Sequence, residues 1–306
     1  MRHPPTWGVG WGLLVVLTAC DARISGAPGD LVAVDAAVRS DAASAPPSDA
    51  APFGPWSSPI AIPQAATKAA EDDVTLSSNA LEMIFAIDSA NGKDLYYSSR
   101  LSAASPWSTA APVTFNSATQ SDETPRLSAD DLTLYFASAR AGNGTLDIYS
   151  VTRTGPGNTT WGTPKPVAGV STTTLLEKWF MPCGTNHYIM VQGTANNGTD
   201  LVEGTLGGPA PAPIAELNSA QNEIGTLVSQ DCLTIYFATN RTTPEKIFTS
   251  HRLSLTDKWA SPSEVTDFPL ATGNGNQEDP WISVDGHTFA FVSDTAGTKD
   301  VYLSTR

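Results

Sequence analysis

A chain of 306 residues with 24 Gly, 23 Pro and only 16% charged residues excludes a helical bundle and leaves ample material for a β-rich core. The formal net charge of -14 argues against nucleic acid or an anionic membrane surface as partner, because phosphate binding needs a basic stripe and none is visible. An acidic surface of this kind serves solubility.

The first element, residues 1–19, reads as a secretory signal: Arg2 supplies a short basic start, and the apolar run to Leu17-Thr18-Ala19 is too short to span a bilayer. It ends at Cys20. Small residues before a cysteine at the close of an apolar run resemble the lipobox of bacterial lipoproteins, which implies cleavage before Cys20 and lipid attachment on it. Several acyl chains on one residue hold more firmly than a single reversible chain, so the resemblance implies a lipid-anchored protein of the bacterial cell envelope, on the inner or the outer membrane. Residues 20–55 follow as a tether of Ala, Pro, Asp, Ser and Gly with hardly an aromatic before Phe53. Such a composition buries too little apolar surface to offset its ordering entropy. At about 5 to 6 Å times the square root of its length, it would hold a domain some 30 Å from the bilayer.

Residues 56–306 repeat themselves. "LTLYFASAR" at Leu132–Arg140 returns as "LTIYFATNR" at Leu233–Arg241, and the same strand core recurs about every 50 residues as Met83-Ile84-Phe85, Tyr188-Ile189-Met190 and Phe289-Ala290-Phe291. Each core is followed by a second short strand, at Asp94-Leu95-Tyr96, Asp147-Ile148-Tyr149, Asp200-Leu201-Val202, Lys246-Ile247-Phe248 and Asp300-Val301-Tyr302. Six residues past its start stands Arg100, Arg153, Leu206, Arg252 or Arg306, and a Trp then opens a Pro-bearing strand at Trp107, Trp161 and Trp259. The third copy is degenerate there, around Pro209 to Pro213. A leading strand precedes each core across a polar turn such as Ser128-Ala129-Asp130-Asp131. Four antiparallel strands per copy and five copies predict an all-β, five-bladed propeller. The fifth copy lacks its Trp-Pro strand, and the segment near Trp56 supplies it, pairing with the last blade to close the ring.

The run "ETPRLSADDLTLYFASARAGNGTLDIY" at residues 123–149 resembles the WD40-like repeat of TolB-type propellers, and the resemblance extends over residues 56–306. The resemblance speaks for architecture, since the same repeat serves many envelope proteins; the reading adopted is a monomeric binding or scaffold module for an envelope protein or a peptidoglycan-related ligand, without catalysis. Eleven or twelve residues before each strand core stands an acid: Asp72, Glu123, Glu177, Glu223 and Glu278. If first strands line the channel, these five ring one mouth, where like charges need relief by hydrogen bonds, protonation, or calcium or sodium. The alternative to a binding module is a glycan-active enzyme, of the glycoside hydrolase kind, that uses two of these carboxylates. Trp179 and Trp281 follow two of the acids and would either offer aromatic surface at the mouth or pack between blades. Cys183 and Cys232, in turns of the third and fourth copies, either bridge or remain separate thiols.

Overall fold

A computed structural model describes residues 54–62, 69–193, 198–267 and 274–306. The signal, Cys20, nearly all of the tether, and Gly273 in one of the loops leading to a first strand lie outside the described residues.

The described chain forms five four-stranded antiparallel sheets. Blade one is β2 (Glu71–Leu76), β3 (Glu82–Ser89), β4 (Gly92–Ser99) and β5 (Ala111–Pro112). Blade two is β6 (Asp122–Leu127), β7 (Thr133–Ser138), β8 (Asp147–Thr152) and β9 (Lys165–Pro166). Blade three is β10 (Glu177–Cys183), β11 (His187–Gly193), β12 (Thr199–Thr205) and β13 (Ala212–Pro213). Blade four is β14 (Glu223–Val228), β15 (Thr234–Thr239), β16 (Lys246–His251) and β17 (Ser263–Glu264). Blade five joins β18 (Gln277–Ile282), β19 (Thr288–Ser293) and β20 (Asp300–Thr305) to β1 (Ile60–Ala61) from the other end of the domain. Every predicted strand core falls in the second or third strand of its blade. The outermost strands have two residues each and carry Pro112, Pro166 and Pro213, because proline donates no ladder bond and belongs on an edge.

The ring closes as the repeats predict, with the ladder four residues later than Trp56. Ile60 lies opposite Leu303 and Ala61 opposite Tyr302, while the Ser57 amide donates to the Thr305 carbonyl. The tryptophans have another task. In four blades the arginine after the third strand folds back, donates from Nε to a carbonyl in the turn between its first two strands, and stacks on the Trp. Arg100 reaches Ala80 and Trp107, Arg153 reaches Asp131 and Trp161, Arg252 reaches Cys232 and Trp259, and Arg306 reaches Gly286 and Trp56. The guanidinium-to-ring distances are 4.2 to 4.8 Å, within cation–π range.

Blade three has Leu206 in place of that arginine and no tryptophan before its outermost strand. It carries the covalent link instead: Cys183 and Cys232 form a disulfide between the turns of blades three and four, with a Cα–Cα distance of 5.3 Å. Cys232 occupies the turn position that Asp131 holds in blade two, where the Asp131 carboxylate accepts from the Ser78 amide and hydroxyl of blade one. Both residues tie a turn to the blade before it. Between blades the core is aromatic and aliphatic, with Phe85, Phe136, Phe237, Phe289 and Phe291 fully buried. Each such side chain contributes about 1.5 to 3 kcal/mol by leaving water.

Candidate functional site: the two ends of the central channel

The first strands of the blades, β2, β6, β10, β14 and β18, share one irregularity. Their registers shift between Asp72 and Thr75, Glu123 and Arg126, Lys178 and Met181, Ile224 and Leu227, and Glu278 and Trp281. The residue in each bulge has positive φ: Asp73, Thr124, Trp179, Gly225 and Asp279, at 47° to 59°. A left-handed conformation at four non-glycine residues is costly, and its recurrence in every blade makes it a designed feature of the inner ring. Blade four has glycine there because a Cβ on Gly225 would meet the Asp279 amide nitrogen at 2.7 Å.

Strand parity then divides the predicted acidic column. Successive side chains of a strand point to opposite faces. Glu177 and Glu223 pair across their sheets with Gln192 and Thr239, in register with Glu71, Asp122 and Gln277 of the other blades. They point away from the mouth, into the loop that leads into their strand. Glu177 accepts from the Thr172 amide and Gln192 Nε2, and Glu223 from the Ser219 amide, Thr239 Oγ1 and Arg241 Nη2. Burial pushes the Glu177 carboxyl up. The five-carboxylate ring is therefore a ring of three, Asp72, Glu123 and Glu278, one residue further along, where blades three and four present Lys178 and Ile224.

Those three are paired with lysines. Lys178 Nζ lies 2.7 Å from Glu123, Lys299 Nζ lies 2.6 Å from Glu278 and 3.2 Å from Asp72, and Lys93 Nζ lies 2.5 Å from Asp72 and 3.2 Å from Asp73. Burial works against ionisation of Asp72, but the ammoniums of Lys93 and Lys299 outweigh it and hold the carboxyl at about 2. Burial pushes Glu278 up, despite Lys299. Glu245, just before β16, is pushed up to about 8 by burial and by the Glu278 carboxylate.

One layer deeper the channel is closed. Arg126, almost fully buried, donates to the Val74, Pro125 and Thr226 carbonyls at 2.9 to 3.0 Å, linking blades one, two and four, and its Nη2 lies 3.9 Å from Asp279 Oδ1 of blade five. The Trp179 indole donates to the same oxygen at 2.7 Å, and the Asp73 amide to Asp279 Oδ2 at 3.1 Å. Burial, then the neighbouring Asp73 and Asp72 carboxylates, hold Asp279 well above the ordinary range. Burial raises Asp73 as well.

Oxygens of Asp72, Asp73 and Asp279 lie within 4.8 Å of one another. Calcium and sodium nonetheless fit poorly here, because Lys93 and Lys299 already engage the Asp72 and Asp73 oxygens, Arg126 faces Asp279, and burial disfavours charge on Asp73 and Asp279. Sequence reasoning missed Asp73, Asp279 and Arg126.

The open space lies at the other end of the same five strands. A cavity of about 500 Å³ is lined by Leu76, Leu127, Met181, Leu227, Tyr236 and Trp281, under a rim of turns between first and second strands. Trp281 thus faces the end opposite the acids, and Trp179 is a strut inside the channel. That volume is within the range of ordinary ligand pockets.

No family model matches the chain, and no curated protein does. Among solved structures it is similar to a putative TolB from Agrobacterium tumefaciens, at 17% identity over 77% of this chain and 76% of that one, with a TM-score of 0.49. TolB from Acinetobacter baumannii follows at 13% identity, covering 79% of this chain and 56% of that one, with a TM-score of 0.47. A GH62 hydrolase in complex with xylotriose is similar at 11% identity over 82% and 97% of the two chains, with a TM-score of 0.48. TolB-like propellers and hydrolase propellers both stand among its structural neighbours, and the likeness is one of fold.

Proposed function

We propose that this chain acts by recognition, as a lipid-anchored propeller of the bacterial envelope that binds a protein or peptidoglycan-related partner on a rigid scaffold. The observation that carries this reading is the closed channel. Its carboxylates Asp72, Glu123 and Glu278 are buried and already matched by Lys93, Lys178 and Lys299, and Arg126 seals the layer beneath, so each of these acids is engaged before a substrate bond could meet it. The cavity at the other end has an apolar floor of Leu76, Leu127, Met181, Leu227 and Trp281 beneath turns that carry Asp131 and Asp231, a lining that suits binding. The anchor at Cys20 rests on the lipobox-like Leu17-Thr18-Ala19-Cys20.

A glycan-active enzyme is the second reading, favoured by one feature: Asp72 is held at about 2 while Asp279 beside it is pushed well up, and catalysis by two carboxyls needs such a separation. Asp279 is fully buried behind Arg126 and Trp179, however, where no substrate atom reaches it. The two readings part on Asp72→Asn in the full chain. A binding propeller shows no turnover of oligosaccharides by mass spectrometry before or after the change, and loses stability with it. Turnover abolished by Asp72→Asn at unchanged stability would establish the enzyme instead.

A further inference from the structure

We propose that a groove running from the apolar cavity outward over blade three docks an extended, basic peptide segment with apolar anchor residues. This rests on the binding reading above and names the chemistry of the partner. The central cavity adjoins a second of about 390 Å³, lined by Asp130, Tyr135, Asn186, His187 and Leu206, and the two share Ser128, Ala129, Pro182 and Gln230. A continuous crevice from the ring axis to its flank accommodates a chain better than a compact ligand.

The crevice follows from what blade three lacks. Arg100, Arg153, Arg252 and Arg306 fill the corresponding corner of their blades by folding back onto their own turns. Leu206 leaves that corner short and apolar, and is 39% exposed. The disulfide fixes the turn beside it.

Charge selects the partner. The turns around the crevice carry Asp130, Asp231 and Asp285, all exposed. Each uses Oδ1 within its own turn, accepting from the hydroxyl of Ser128, Ser229 or Ser283 and from a backbone amide. Those bonds hold the three carboxyls below the ordinary range, so they are ionised at neutral pH. The nearby Arg306 faces Asp267 at 3.7 Å and stacks on Trp56, and the His287 ring stands 3.6 Å from Asp285. An acidic rim over an apolar floor complements a segment that alternates basic and apolar side chains.

The test titrates the purified full chain into a fluorescein-labelled octapeptide of alternating Lys and Leu, with Lys–Ser and Glu–Leu octapeptides as counterparts, following anisotropy. Lys–Leu should bind saturably and the others at least tenfold more weakly. Leu206→Arg, which restores the residue of the other four blades, should weaken Lys–Leu binding at least threefold. Asp130→Asn with Asp231→Asn, which keeps Oδ1 as the acceptor of each turn, should weaken it about two- to tenfold at unchanged Tm. Equal binding of Lys–Ser, or Lys–Leu binding untouched by Leu206→Arg, would reduce the effect to the general negative charge and overturn the proposal. Glu–Leu binding that Leu206→Arg abolishes would overturn the partner's charge and leave the binding reading standing. Absence of binding by all three overturns the proposal, and takes the binding reading with it only if oligosaccharide turnover is found as well.

Discussion

Replacing Arg126 by Met tests whether the channel is held shut by this one side chain. The guanidinium makes three hydrogen bonds of 2.9 to 3.0 Å to carbonyls on β2, β6 and β14, and faces Asp279 of β18. Methionine has similar length and no donor. A buried carbonyl left without a partner costs about 1 to 3 kcal/mol, so three would cost up to roughly 9 if none found another donor. Two effects offset part of this: the desolvation penalty of the guanidinium disappears, and burial, which already raises Asp279, disfavours leaving a bare charge there. The net loss expected is about 3 to 5 kcal/mol, the range for breaking a buried charged network. For a domain of this size that is a fall in Tm of roughly 6 to 20 °C. Equilibrium urea unfolding followed by tryptophan fluorescence, with the disulfide intact, measures it. Arg126→Lys should recover a minor part, since one ammonium reaches fewer carbonyls than a planar fork. A Met variant within about 1 kcal/mol of the parent would show that the three carbonyls have no need of Arg126, and the closed-channel case for a binding role would go with it.

Gly225→Ala should cost about 2 to 4 kcal/mol, because its Cβ meets backbone atoms of Asp279 at 2.7 and 3.0 Å and its φ is +59°; urea unfolding checks this, and a cost below about 0.5 kcal/mol would contradict it. Glu245 makes stability depend on pH. Its carboxyl titrates near 4.5 in the unfolded chain and near 8 when folded, so between those values the unfolded state binds fewer protons and stability falls as pH rises. Glu245→Gln removes that decline, and should be indistinguishable from the parent near pH 4.5 and more stable by roughly 3 to 5 kcal/mol above pH 8; parallel stability curves across that window would refute it. Replacing Cys183 and Cys232 together by Ser opens a loop with a sequence separation of 49, for which chain entropy sets a loss of about 4 kcal/mol, read as a lower urea midpoint.

The architecture was legible because each blade must bury both faces of its middle strand. That demand writes the same apolar triplet five times, at Met83-Ile84-Phe85 as at Ile235-Tyr236-Phe237, and the missing outer strand of the last copy pointed to the chain start. The arginine and tryptophan positions were visible as a pattern, but not as a stacked pair, since nothing in spacing alone says that Arg306 meets Trp56 across the whole domain. The acidic column failed by one residue in two blades. Where Glu71-Asp72 and Asp122-Glu123 give two adjacent acids, either register is available, while Glu177 and Glu223 stand alone in the register that faces the loop. Asp73, Asp279 and Arg126 were hidden by the bulge, which breaks the period of two that strand reasoning relies on. One signal was present: Gly225 among Asp73, Thr124, Trp179 and Asp279 marks a position with unusual backbone geometry.

A ring of five equal blades would present five equal turns, and recognition of one partner in one orientation requires that equality to be broken. The breaks are concentrated. Blade three has lost its Arg–Trp pair, presents Leu206 to solvent, holds its turn by a disulfide to blade four, and sends Lys178 to the blade-two acid and Trp179 to the blade-five acid. If the degenerate repeat were only decayed, its losses would leave a weak seam, and no compensating link would be expected there. Instead the covalent bond, the Lys178 ion pair and the Trp179 bond across the channel all fall at that blade, so rigidity is kept while the corner that arginine fills elsewhere is left open. That combination of a fixed backbone and an unfilled apolar corner is what a docking surface requires, and it makes blade three the place where substitutions should change binding more than they change folding.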